Sequence, residues 1–414
     1  MPFQRKNGVL CADTVALNDI AAQYGTPCYV YLWDDIEARY RKLEQSLQPC
    51  DAHIRYAVKA NSNLAILRRM SELGAGFDIV SGGELERVIR AGGEPSCVVF
   101  SGVGKTQQEI SFALKAGIGC FNVESTAEVH RIAAVAAQQG TQAPIAIRVN
   151  PDISVETHPY IATGMRENKF GVAEHDALDL AKFIRRDSRN LQFLGLCCHI
   201  GSQINAIDPY RDALEAMLAL RQSLLDEGIH CGSVGIGGGF GIRYQDEMPL
   251  SFETLGELLA AYNSREVRFE IEPGRSLVGP AGLLLTRVEY LKPASQAGYR
   301  NFCIVDAAMN DLCRPALYDA YHRVEAVENR ACEELTWNLV GPICESGDFL
   351  ALNRRLAVQE NDLLALLDAG AYGFAMSSNY NSRPRPAEVI VHGGECELAR
   401  RRESMADMLE LEML

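Results

Sequence analysis

Between Cys28 and Gly282 the chain repeats one alternation many times: a short run of β-branched and aromatic residues, a turn, then a longer stretch with helical spacing. After a lead-in strand, CYVYL, and a helix from about Asp34 to Gln48, eight runs read as strands. They are IRYAV, FDIV, CVVFS, GCFNV, IAIRV, FLGLCCHI, SVGIG and VRFEI. Strands that alternate with helices pair in parallel, because each helix returns the chain to the same end of the sheet. Eight such units in about 250 residues fit an α/β fold of the closed (β/α)8 TIM type better than an open sheet.

A barrel of this type places its reactive residues at the carboxyl ends of the strands, where the loops converge. The sequence meets that demand. Lys59 follows the first strand, Asp78 lies in the second, His199 closes the sixth, GGGFG follows the seventh, and EPGR (Glu272 to Arg275) follows the eighth. Past Gly282 the texture changes to LLLTRVEYLK, FCIVDA, TWNLVGPI, DLLALLDAG and AEVIVHG, separated by turns. This predicts a second, C-terminal β domain, a sandwich or small barrel. The expected division is a barrel over residues 27–281 and a β domain over 282–414, with residues 1–26 packing against the latter. The tail ESMADMLELEML has helical spacing and is expected to pack on the body, with fraying as the alternative.

Composition narrows the function. A chain of 414 residues that is 47% hydrophobic can bury a large core. Its formal net charge of −14 opposes a phosphate backbone, so nucleic acid is not an expected partner. The amino terminus lacks the apolar segment of a secretory signal, and no run is long enough to span a bilayer, so a cytosolic location and no membrane role are expected. Thirteen scattered cysteines without a CxxC pair give neither a disulfide framework nor a zinc site, and the histidines show no HExxH spacing; no metal is expected. SGVGKT (Ser101 to Thr106) imitates a nucleotide-binding loop, but that pattern requires glycine where Val99 stands, inside a strand. A small-molecule enzyme is the leading class.

Each candidate site residue also has an ordinary structural explanation. Strands often end in a charge, as at Lys59, yet a desolvated lysine has a lowered pKa and its neutral amine can form a Schiff base. Gly237, Gly238 and Gly239 can make a tight turn or offer bare N–H groups to a phosphate, and in barrels the loops after strands seven and eight often do the latter. Glu272 and Arg275 flank a Pro-Gly turn and can be a solvated pair or can face the mouth. A lone histidine such as His199 is most often a satisfied core residue, although here it can pack its flat ring on a flat ligand. Cys344, beside Glu345 in the turn GPICESGD, has a carboxylate neighbour that suits proton transfer.

Taken in order, YAVKAN, FDIVSGGE, HIGSQ, GGGFG, EPGR, NDLCRPALY, GPICESGD and AGAYGFAMSSNYNSRPRPAEV resemble the fold type III pyridoxal-phosphate-dependent decarboxylases over about Thr26 to Val391. The resemblance implies pyridoxal 5'-phosphate as cofactor, an amino-acid substrate and a homodimer. It implies that Lys59 carries the cofactor, His199 stacks on its ring and Glu272 pairs with its ring nitrogen. Asp78, Ser202, Gly238, Gly239, Pro273, Gly274, Arg275 and Tyr372 complete the cofactor site. Arg275, Arg314, Tyr318, Glu345 and Tyr372 match substrate contacts, and Cys344 matches a proton donor supplied by the neighbouring subunit.

A carboxylate at Glu272 keeps the ring nitrogen charged and favours decarboxylation; the racemases that share the barrel resemble a pattern with arginine there. The ornithine and arginine decarboxylases, which read a distal cation, resemble CDGLD where this chain has CESGD. Arg275 and Arg314 suit a substrate whose far end carries its own carboxylate, with Glu345 meeting its ammonium. The alternatives that stay open are decarboxylation of ornithine, arginine or carboxynorspermidine, a racemase, and a relative that binds the cofactor without catalysis. The segment TGMRENKFG (Thr163 to Gly171) departs from the pattern of many relatives, and its contacts stay open.

Overall fold

The computed structural model describes residues 2–153, 169–263, 267–296 and 298–413. The chain divides into two compact units. One comprises Tyr40–Ile242 and Met248–Gly274; the other comprises Met1–Arg39, Arg243–Glu247 and Arg275–Leu414.

The first unit is a barrel. Its strands are Ala52–Ala57, Gly76–Ile79, Val98–Phe100, Cys120–Val123, Ala143–Asn150, Leu191–Cys197, Ser233–Gly237 and Arg268–Ile271, all parallel. Each pairs with the next, and Phe269 and Ile271 of the last pair with Ala52 and Ile54 of the first, which closes the ring. All eight expected strands form. Side chains alternate across a strand: one set, including Tyr56, Phe77, Phe100, Phe121 and Phe269, is fully buried. The other set, facing inward, includes Arg55, Gly76, Asp78, Cys120, Asn122, Ala146, Gly235 and Glu270, which are small or polar.

The strand-to-helix turns explain where the helices begin. Ser81, Thr106, Ser125 and Ser251 each precede a helix and accept a hydrogen bond from the backbone N–H of Glu84, Glu109, Glu128 and Thr254, satisfying one of the orphan donors of the first turn. Within SGVGKT, Lys105 is buried and donates to Glu128 at 2.6 Å and to the carbonyls of Gly102 and Asn122 at 2.8 Å each. This lysine ties the turn after the third strand to the fourth strand and to the helix that follows it, Thr126–Gln139.

The second unit holds a nine-stranded mixed sheet and a three-stranded N-terminal sheet. Strand Gly282–Lys292 is its centre: Leu284 and Leu285 face Tyr29 and Cys28 on one side and Leu366 and Ala365 on the other. The core under it combines Leu10, Leu17, Ile20, Val30, Leu283 and Val389.

Two expectations are corrected. CYVYL (Cys28–Leu32) is not a lead-in to the barrel; all five residues are buried, and it pairs antiparallel with Gly282–Lys292 and parallel with Ala387–His392. A strand buried on both faces needs neighbours on both edges, which this sheet supplies. The tail forms only the short helix Met405–Leu409, capped by Ser404, and its apolar residues Met405, Leu409, Leu411 and Met413 are exposed rather than packed. Too few turns remain to bury a stripe. The expected β strands all form, whereas Val324–Ala326, Phe349–Leu356 and Glu395–Arg400 add to them.

Candidate active site

At the end of the first barrel strand, a 3-10 turn over Val58–Ala60 carries Lys59 beyond the sheet. The polar residues around it are structural. Tyr56 donates to the Asn61 carbonyl at 2.9 Å, Asn61 accepts from the Asn63 N–H at 3.1 Å, and Asn63 caps the following helix at Ala65. Lys59 alone is left for chemistry. Its Nζ donates to Oδ2 of Asp78 at 2.7 Å, because Ala57 and Asp78 are directly paired in register. Asp78 is fully buried, and its Oδ1 has no hydrogen-bond partner among the described residues.

The turn after the eighth strand lies on this one. Pro273 accepts from the Ala57 N–H at 2.9 Å, and a Cβ on Gly274 would stand 2.9 Å from that of Ala60. The close approach requires a glycine at 274, and it brings Glu272 to the same end of the barrel as Lys59. Asn122 donates to Glu272 at 3.4 Å. Burial, and then the neighbouring Asp78, push the Glu272 carboxyl up to about 8, against the opposing pull of Lys59 and Arg148. Burial likewise raises Glu84 to about 7, although the Val80 N–H donates to it at 2.7 Å.

The three glycines are spatially required. Gly237 and Gly239 have φ of +71° and +86°, and a Cβ on Gly238 would overlap the Glu272 carbonyl. The N–H of Gly238 is not bare: it donates to Nδ1 of His199 at 3.3 Å. Burial, with Arg148 and Lys59 nearby, holds His199 well below the ordinary histidine range, so the ring is neutral with Nδ1 as acceptor. Ser202 follows at the same strand end, half-buried.

In the other unit, Arg275 is buried at the start of the short helix Arg275–Val278. It donates to the Tyr244 hydroxyl at 2.6 Å and lies 4.8 Å over the ring of Tyr372, a residue held at φ +56°. Arg314, the first residue of the helix Arg314–Tyr318, is also buried and lies 5.0 Å from the Tyr244 ring. Its Nε has no hydrogen-bond partner among the described residues. Burial holds its guanidinium below the usual arginine range, Tyr244 opposes this and Arg275 adds to it. Two buried guanidiniums around one tyrosine form a pocket of positive charge suited to an anion. Tyr318 is half-buried, and Cys344 and Glu345 lie exposed on a turn where the Cys344 N–H donates to Asn381 at 2.8 Å.

The structure thus brings Lys59, Asp78, His199, Ser202, Gly238, Gly239, Glu272, Pro273 and Gly274 to one end of the barrel, and groups Arg275, Arg314 and Tyr372 in the other unit. Of the segment Thr163 to Gly171, residues 163–168 lie outside the described residues. Sequence reasoning missed Glu84, Asn122, Arg148 and Tyr244. Asn122 and Arg148 follow from counting alternate residues toward strand ends, and Glu84 from its place in the first turn of the helix that Ser81 caps; Tyr244 sits in a loop that carries no pattern.

A barrel ending in a lysine, a neutral histidine and a buried carboxylate is the arrangement of pyridoxal-dependent decarboxylases, and residues 33–279 match the family model described as pyridoxal-dependent decarboxylase, pyridoxal binding domain. Over the full length, the chain is 50% identical to a diaminopimelate decarboxylase of Pseudomonas fluorescens, covering 100% of this chain and 99% of that one. The crystal structure of diaminopimelate decarboxylase from Helicobacter pylori complexed with L-lysine superposes with a TM-score of 0.91 at 37% identity, covering 95% of this chain and 98% of that one. The M. jannaschii enzyme in co-complex with L-lysine gives 0.93 at 34% identity, covering 100% and 98%. The chain belongs to the diaminopimelate decarboxylase family.

Proposed function

We propose that this protein decarboxylates meso-2,6-diaminopimelate at its D-centre, releasing L-lysine and carbon dioxide, with pyridoxal 5'-phosphate as cofactor. The observation that carries the reading is the cluster of Lys59, Asp78, His199 and Glu272 at one barrel end, in a chain half identical over its whole length to a diaminopimelate decarboxylase. When bound, the cofactor supplies an electron sink for the pair left on Cα as carbon dioxide departs.

The residues present fit that group. The side chain of Lys59 is 36% exposed, so its amine reaches the site space while Asp78 fixes it from below. His199, neutral and anchored at Nδ1, offers a flat face to a ring. Glu272, whose carboxyl burial raises to about 8, would pair with a ring nitrogen and share a proton with it. Gly238 and Gly239, with Ser202, Arg275 and Tyr372, are assigned to the phosphate, and Pro273 and Gly274 set the position of Glu272. Arg275, Arg314, Tyr318, Glu345 and Tyr372 are assigned to the substrate, the arginines taking its distal carboxylate.

Cys344 delivers the proton to Cα. Its exposure supports delivery into a neighbouring subunit's site, hence a homodimer; the cytoplasm is the proposed location. No helix among the described residues is long and apolar enough to cross a membrane.

The test incubates purified protein with meso-diaminopimelate and pyridoxal phosphate, following carbon dioxide and L-lysine together. Equal release of both is expected, and none from Lys59→Ala. Full activity in that variant refutes the assignment of Lys59; release from ornithine but not from diaminopimelate refutes the substrate.

A further inference from the structure

The inside of the barrel is not filled in the usual way. Barrel interiors of this type are generally packed with layers of branched apolar side chains, but here the inward residues leave a cavity of about 630 Å³. It opens at the amino ends of the strands, where Asp51, Gln192, His230 and Arg268 are exposed, and it reaches up to Asn122 and Glu272. Lys59 and His199 do not line it. Glu272 is therefore the ceiling of one space and, in the proposed function, the floor of another.

An ion pair lines one wall of this cavity, one step below Glu272. Along the last strand, Arg268, Glu270 and Glu272 share the inward face, so Glu270 and Glu272 are about 6.6 Å apart along the strand. Nε of Arg55 donates to Glu270 at 2.8 Å, and its Nη1 donates to the Cys97 carbonyl at 2.8 Å. His53 lies 3.3 Å from Nη2 of Arg55 and 3.5 Å from Glu270. Gly76 is paired opposite Arg55, and any Cβ there would overlap the guanidinium. The pair is thus built into the barrel, with a glycine making room for it. Contacts with His53 and Arg55 hold Glu270 below the ordinary carboxylate range despite its burial.

We propose that Arg55 and Glu270 are a positioning pair for the cofactor site: through the shared cavity, their balanced charges set how readily Glu272 carries negative charge beneath the ring nitrogen. The inference rests on the proposed pairing of Glu272 with that nitrogen. The charged and titratable groups facing Glu272 are Lys59, Asp78, Arg148, Cys197, Cys198 and Glu270. Lys59 and Asp78 pair with each other and Arg148 pairs with Glu124, whereas the counter-ion of Glu270, Arg55, lines the cavity with it. Glu270 alone pushes a proton onto Glu272, Arg55 alone pulls it off, and together they largely cancel.

The two halves therefore act with opposite sign, which a merely structural ion pair does not. The experiment measures the dissociation constant of pyridoxal phosphate for the full-length chain across pH, where ionisation of Glu272 gives a midpoint. Glu270→Gln, which keeps an acceptor for Arg55, is expected to move the midpoint down by on the order of one pH unit, and Arg55→Met to move it up by a similar amount. The double variant is expected near the original midpoint. Weakened binding at every pH with no movement of the midpoint, or movement in the same direction for both variants, overturns the proposal. If Arg55→Met does not fold, the sign of the Glu270→Gln shift decides alone. Glu272→Gln separates the two readings: survival of the midpoint in that variant refutes the role of Glu272, whereas its loss there, with no response to Glu270→Gln, refutes only the positioning pair.

Discussion

Arg314 offers the sharpest test of whether the second unit is built for an anion. Replacing it with methionine keeps the length of the side chain and removes the charge. In the structure Arg314 is 7% exposed, its Nε has no described partner, and the guanidinium of Arg275 is its neighbour around Tyr244. Burying an unmatched donor costs about 1–3 kcal/mol. The contact with the Tyr244 ring returns about 0.5–2 kcal/mol. The balance favours methionine, so Arg314→Met is expected to raise unfolding stability by about 1 kcal/mol, read from the urea midpoint. The same variant loses a charged hydrogen bond to a substrate carboxylate, about 1.5–3 kcal/mol, hence a fall of about 10- to 150-fold in kcat/KM for carbon dioxide release. A variant that is less stable and keeps full kcat/KM refutes the reasoning, since Arg314 would then be a structural cation.

Gly238→Ala, whose new methyl would overlap the Glu272 carbonyl, is expected to weaken pyridoxal phosphate binding by more than about tenfold; unchanged affinity in a binding titration contradicts the close packing of the two turns. In the cofactor-free chain, Glu272 titrates at about 8 against an ordinary 4.5. A folded-state value above the unfolded one contributes stability that is complete below about pH 4.5 and lost as pH rises through 8. The stability of the protein minus that of Glu272→Gln is therefore expected to fall between those limits, and a flat difference by pH-dependent denaturation refutes it. Mixing inactive Lys59→Ala and Cys344→Ala chains is expected to restore about a quarter of full activity if the two residues come from different subunits of a dimer; no recovery after verified subunit exchange refutes the shared arrangement.

The barrel was legible because its strands announce themselves twice, as β-branched runs and by the polar residue at each carboxyl end. Lys59, His199 and Glu272 were found by that rule alone. What lay hidden was pairing. Nothing within CYVYL says which sheet takes it, since a run buried on both faces looks the same in either. Phe349–Leu356, with Asn353, Arg354 and Arg355, has too many polar residues to read as a strand until its pairing with Leu335–Val340 is seen. Arg55 and Glu270 were passed over for a related reason: a charge inside a strand reads as its solvent face, and only closure of the sheet turns that face inward.

That inversion governs where the barrel unit tolerates change. Its strands are secured on the outward face, where Tyr56, Phe77, Ile79, Phe100, Phe121, Ile145 and Phe269 lie fully buried, while the inward face carries mostly glycine, alanine, cysteine and charge, with Val99 and Leu194 as a small apolar patch. A saturation scan would therefore show a ring of intolerance around the barrel rather than a rod along its axis. Along every strand, constraint from folding and constraint from chemistry would fall on alternate residues, so outside the inward glycines, where a Cβ has no room, this scaffold can alter its interior chemistry with little penalty to its architecture.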